Sequence, residues 1–278
     1  MTRVQNLIKH AIFRFGSAAL TALVIAAGPA AADDVAKINT DNGCPDCDLR
    51  LMELRGLDIQ SPDFEDTIFR EADMKEVKLI EGNFKGADFR RTEMERAKLH
   101  HGDFTGASMR AVDLEKAVLT GSVFKNADLR DADLNDTELS GVDFSGADLR
   151  NASFIRAIAA NAIFTGAKMD QVDLERVDLT GANFDESRLK YSDLDRIFAR
   201  GASFEDADMT GVRLSSADLS GANLKNANLD DALLRHTRLP GADLSGVKGL
   251  DPDRIMGACG DETTKLPRGI TLPPCSGS

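Results

Sequence analysis

From Leu49 to Leu244 a large apolar residue returns at every fifth position in one unbroken phase. Of those 40 positions, 38 hold Leu, Phe, Met or Ile, and only Ala159 and Ala199 do not. A small residue stands two places earlier in most units, as at Ala87, Ala107, Ala127, Ala147 and Ala167, and an acid or amide often separates the two. A period of five matches neither the 3.6 of a helix nor the 2.0 of a strand. It requires a backbone that turns a corner once per unit, so the chain reads as a solenoid.

The number of units per turn is also encoded. Every fourth central residue forms the series Phe64, Phe84, Phe104, Phe124, Phe144, Phe164, Phe184, Phe204, Leu224 and Leu244. Residues twenty apart therefore meet the same surroundings, as rings stacked coil upon coil would. Arg50, Arg70, Arg90, Arg110, Arg130 and Arg150 repeat the spacing. One coil is four units, and ten coils paired about 4.8 Å apart as parallel strands give a rod roughly 48 Å long.

Segments such as Phe144-Ser145-Gly146-Ala147-Asp148-Leu149-Arg150 and Ala217-Asp218-Leu219-Ser220-Gly221-Ala222-Asn223-Leu224 fit the A(D/N)LXX pattern. In these the chain resembles the pentapeptide-repeat family, from about Cys47 to Gly246. The resemblance implies an all-β fold, a right-handed quadrilateral parallel β-helix with the central and small residues pointing inward. It implies no activity, since a shared fold does not carry a shared function.

The N-terminus has Arg3, Lys9 and Arg14, an apolar run from Ala18 to Ala27, and Ala30-Ala31-Ala32 before Asp33. That order is the order of a secretory signal peptide, and the run is too short to span a membrane. Export is expected, most naturally to a bacterial periplasm, with secretion or a thylakoid lumen as alternatives. The mature form should not be membrane-embedded. Residues 1–32 hold three basic groups and no acid, so their removal takes the net charge from −12 to −15. Such an acidic chain lacks the Lys and Arg excess that drives direct nucleic-acid binding. The expected organisation is a signal peptide over 1–32, an N-terminal cap over 33–46, the β-helix over 47–246 and a C-terminal cap over 247–278.

Cys44 and Cys47 open the solenoid, while Cys259 and Cys275 lie beyond its far end. The pairs stand ten coils apart, too far to share one metal. In an exported chain two local disulfides, Cys44–Cys47 and Cys259–Cys275, account for them. The second would close a loop containing Pro267, Pro273 and Pro274, and this stretch also resembles the end caps of exported members of the family. A redox role for Cys-Pro-Asp-Cys is the weaker reading, because Cys47 falls in phase with the small inward residues. Asp251 and Pro252 look like the start of a short capping helix that lays Leu250, Ile255 and Met256 over the last leucine layer.

No catalytic constellation emerges, and neither cofactor nor metal is expected. His100 and His101 stand in outward positions of one coil and His236 lies almost seven coils away. The glycines, such as Gly141, Gly146 and Gly181, sit at corners for backbone freedom and not in a phosphate-binding loop. An uninterrupted solenoid also offers no deep cleft.

Two surface features stand out. Stacked arginines repel one another, so the ladder needs counter-charges or an anionic partner. Asp48, Asp88, Asp128 and Asp148 on one side, and Glu53, Asp73, Glu93, Asp113 and Asp133 around the corner, could neutralise it. The alternative is a site for an anionic polymer along Arg90, Arg110, Arg130 and Arg150. The second feature is apolar residues where acids usually stand: Val118, Val123, Ile158, Ile163 and Phe198. Because Ala159 and Ala199 directly follow Ile158 and Phe198, a local shift turning those two inward is the preferred explanation. Val118, Val123 and Ile163 then remain as a candidate contact strip. The favoured function is a non-enzymatic scaffold that binds an unknown protein partner or itself. The alternative is a DNA mimic like the gyrase-protecting members of the family, which a signal peptide opposes.

Overall fold

A computed structural model of the protein describes residue 38 and residues 41–275. The leader expected over 1–32, and half of the cap expected over 33–46, lie outside the described residues.

Each pentapeptide builds one short side of a square coil. Outward residues bridge their counterparts twenty places on, in parallel, as in the series Asp103, Val123, Asp143, Ile163 and Asn183. In mid-rod Phe144 N donates to Ile163 O at 2.7 Å, and Ile163 N donates to Val142 O at 2.8 Å. The corner closes with Ala147 N donating to Phe144 O at 3.0 Å, while Gly146 N reaches Thr165 O of the next coil at 3.0 Å. Backbone groups are thus satisfied coil to coil, as burial demands.

The closing bond spans four residues with positive φ at the third, the pattern of a type II turn. Gly146 sits there at φ 67° and Asn126 at 56°, and even Arg156 adopts 62°. Gly meets no Cβ penalty in this region and Asn little; a long side chain does, and the ladder bonds on both flanks hold it there.

Sides are numbered from the phenylalanine column. Side 1 carries Phe64 and its successors, side 2 Phe69 and Phe89, side 3 Met74 and Met94, side 4 Leu79 and Leu99. These central residues are fully buried. On side 1 the Phe104 and Phe124 rings lie 4.6 Å apart, centre to centre, with planes 1° from parallel. At that separation the rings are offset, the favourable stacked arrangement. Small-position hydroxyls are buried too, and donate to the coil below: Thr92 to Phe69 O at 2.8 Å, Ser122 to Leu99 O at 2.9 Å, Ser192 to Met169 O at 2.7 Å.

The phase does not shift at Ala159 and Ala199. Both alanines are fully buried, while Ile158 and Phe198 are 49% and 54% exposed, which overturns the inward turn expected for those two. The missing volume is made up by neighbours, not by a change of register. Phe154 replaces the aliphatic residue usual on side 3 beside Ala159, and Ile197 replaces the usual small residue beside Ala199; both are buried. Keeping core volume constant costs less than refacing a strand.

The ladder begins at Gly43, which bridges Asp63. Cys44 therefore occupies a central position at the foot of the phenylalanine column, and the boundary expected at 47 is one unit late. Cys44 and Cys47 are bonded with Cα atoms 5.5 Å apart, and buried Ile38 joins the same core. At the other end Leu234 N donates to Arg254 O, Leu239 N to Cys259 O and Leu244 N to Lys265 O, at 2.8–2.9 Å. The C-terminal cap is thus a further, irregular coil. Its short 3-10 helix, Pro252–Arg254, is capped by Asp251, whose carboxylate accepts from Asp253 N at 2.9 Å. Ile255 is buried, but Met256 is 55% exposed and does not cover the leucine layer. Its carbonyl accepts from His236 N, the corner place from which side chains point outward. Cys259 and Cys275 are bonded, and Cys275 N donates to Gly260 O at 3.0 Å, which covers the exposed strand edge.

Candidate interaction surface

The arginines project from the corner between sides 2 and 3. Where the sequence reads Asp-x-Arg, the two residues form a local fork. Arg90 donates through Nε and Nη2 to the two oxygens of Asp88 at 2.8 and 2.6 Å, Arg130 to Asp128 at 2.7 and 2.6 Å, and Arg150 to Asp148 at 2.8 and 2.7 Å. Two-point contact of this kind fixes a guanidinium far better than a single bond. Burial works to raise the Asp88 carboxyl, yet the guanidiniums of Arg90 and Arg70 outweigh it and hold it down at about 2. Asp128 is lowered by the same pairing with Arg130.

Two coils lack the local acid. Ile68 precedes the Arg70 pair and Ser108 the Arg110 pair. Arg70 reaches up to Asp88 at 2.7 Å, and Arg110 turns to Asp131 at 3.0 Å. The acids around the corner do not serve the ladder as expected. Asp73 takes Arg55 and Glu93 takes Lys75, while burial raises Asp113 above the ordinary carboxylate range. Their side chains stand on side 3 and face the next corner.

The apolar residues cluster elsewhere. Val118, Ile158 and Phe198 stand on side 4, with Glu138 and Asp178 in the coils between. Val123 and Ile163 stand on side 1, with Asp143 between them. Ile163 is 37% exposed, and Val118 and Val123 are half-buried. Together they flank the corner of sides 4 and 1, diagonally across the rod from the arginines. Ile158 and Phe198, expected to be internal, are its most exposed members. An unshifted five-residue phase, read strictly, would have found them.

The His101 ring lies over Gly121, where an added Cβ would come within 2.6 Å of Nδ1. Among the described residues no group of three or more His, Cys, Asp or Glu is placed to hold a metal, and no helix is long and apolar enough to cross a membrane.

This geometry defines a quadrilateral β-helix, and the comparisons name its family. A model described as "Pentapeptide repeat region" matches residues 107–184, and one described as "Pentapeptide repeats (8 copies)" matches 72–110, 182–221 and 213–248. The chain belongs to the pentapeptide-repeat family, and its β-helix is right-handed. It is similar to HetL, a pentapeptide repeat protein involved in heterocyst differentiation regulation from Nostoc sp. strain PCC 7120, at 27% identity, over 73% of this chain and 86% of that one, with a TM-score of 0.53. A pentapeptide repeat protein of the Arabidopsis thaliana thylakoid lumen is 30% identical over 37% of this chain and 71% of its own, with a TM-score of 0.36. QnrB1, a plasmid-mediated fluoroquinolone resistance protein, is 17% identical over 68% of this chain and 94% of its own, with a TM-score of 0.31. No curated protein matches the sequence.

Proposed function

We propose that the protein is a non-enzymatic interaction rod of an exported compartment, which docks a protein partner or a second copy through the corner of sides 4 and 1. The observation that carries this reading is the exposure of Ile158, Ile163 and Phe198 in columns whose intervening coils carry Glu138, Asp143 and Asp178. Apolar side chains gathered on one edge of an otherwise charged surface mark a contact. The leader and two disulfides favour an oxidising compartment, most simply the periplasm. HetL, a relative of the same fold, is described by regulation and not by a reaction. Mimicry of DNA is the weaker reading, because the arginine corner interrupts the acidic surface and the leader points away from the cytosol.

The test replaces Val118, Val123, Ile158, Ile163 and Phe198 with Asp in the full chain. Outward neighbours in the same columns, such as Asp103, Asp143 and Asp178, already accept this residue, so the thermal melt should barely move. A photo-crosslinker at position 158 or 198 should give defined adducts in cells, while one at position 153 on side 3 gives none. Adducts of equal yield at all three positions, or at none, reject the docking corner.

A further inference from the structure

We propose that the hollow formed by Arg70, Arg90, Arg91, Arg110 and Ala111 binds an oxyanion: a phosphate, sulfate or carboxylate group. Three observations converge there. The first is the missing acids: in three successive coils of the ladder only Asp88 remains, and it is divided between Arg70 and Arg90. The second is the local charge. Four guanidiniums face Asp88, Glu71 and Asp131, an excess of one positive charge on a chain whose net charge is −12.

The third is space. Ala111 occupies the corner column in which Glu71, Arg91, Asp131 and Asn151 stand in neighbouring coils. Its methyl group leaves a hollow of about 450 Å³ lined by these arginines and Asp131. That size lies within the range of about 300–1,000 Å³ usual for small-ligand sites. An oxyanion is the group that a guanidinium fork fits best. Nothing comparable occurs at Arg130 and Arg150, where Asp128 and Asp148 occupy both arms of the fork. The site is open to solvent, so it would take either a free ion or the same group on the end of a larger molecule.

The inference does not depend on the apolar corner, and its test is separate. Inorganic phosphate, sulfate and acetate are titrated into the full chain at constant ionic strength, against chloride, by calorimetry and by amide shifts around Ala111. At least one should bind saturably, with shifts confined to the coils of Arg70, Arg90 and Arg110. Methyl phosphate then separates the two sources: binding as tight as phosphate indicates a site that accepts a tethered group, weaker binding a site for the free ion. Ser108→Asp restores the Asp-x-Arg fork and should weaken binding at least tenfold. Ala111→Asp, which copies Asp131 in the same column, should do likewise and serves if the first variant misfolds. Asp128→Ser should open a second site of the same kind. Equal response to chloride and the oxyanions, or unchanged binding in both folded variants, overturns the proposal.

Discussion

The phenylalanine column of side 1 and the arginine ladder of the facing corner climb the same rod with the same step, yet they obey opposite rules. Each ring gains from the identical ring above it, as the 4.6 Å separation of Phe104 and Phe124 shows. Repetition there is its own support. Each guanidinium is repelled by the one above, and a carboxylate offsets that repulsion at Asp88, Asp128 and Asp148. Inside the coil, then, sameness stabilises. Outside it, sameness must be compensated, and a missing compensating residue points to a place where the surface has another use.

The strongest way to break this contrast is to remove a ring. Phe144→Ala should cost about 3–5 kcal/mol by denaturant melt, because neighbours on both coils and at the T-shaped contact with Phe154 lose their packing. A loss below about 1 kcal/mol would show that the column is not the mainstay of the fold.

Acid titration sharpens the other side of the comparison. The Asp88 carboxyl, held at about 2 when folded, lies below its ordinary value of 3.8. A depressed carboxylate contributes stability that is fully present above about pH 4 and is lost as pH falls through about 2. A shift of that size corresponds to at most about 2.4 kcal/mol, which solvent screening of the part-exposed pair reduces. In Asp88→Asn that acid-dependent increment should vanish from the pH profile of the melt, while the rest of the profile stays. An identical profile would mean that the shared carboxylate holds neither arginine.

The smallest effect is expected at an exposed partner of a single fork. Arg150→Ala should leave the melt unchanged within error, as exposed ion pairs contribute little. A clear loss would place the ladder among the structural elements of the rod.

The fold was legible because one side chain per unit is confined on all sides. Burial tolerates only large apolar residues at Leu149 or Phe144, so the period survives in plain view. Its apparent lapses misled for the same reason. Ala159 and Ala199 looked like a slip of phase, since the compensating volume sits in Phe154 of the preceding unit and in Ile197 at the small position of the same unit. The surface was less legible. Arg50 through Arg150 announced themselves by spacing, but pairing depends on rotamers that reach across coils, and no periodicity records that Arg110 turns to Asp131. The signal that was available lay in what had been lost: Ile68 and Ser108 in the Asp-x-Arg series. The N-terminal boundary was missed because Cys44 does not look like the foot of a column of phenylalanines.

One consequence follows from coils that bond only to the coils beside them. With four corners to a turn, losing five residues would rotate everything downstream by a quarter revolution, whereas losing twenty would shorten the rod by one thread without rotating it. Azimuth and length are therefore separate settings. Features on different corners can be moved along the axis in whole threads while each keeps its facing, as a screw cut to another length keeps its pitch.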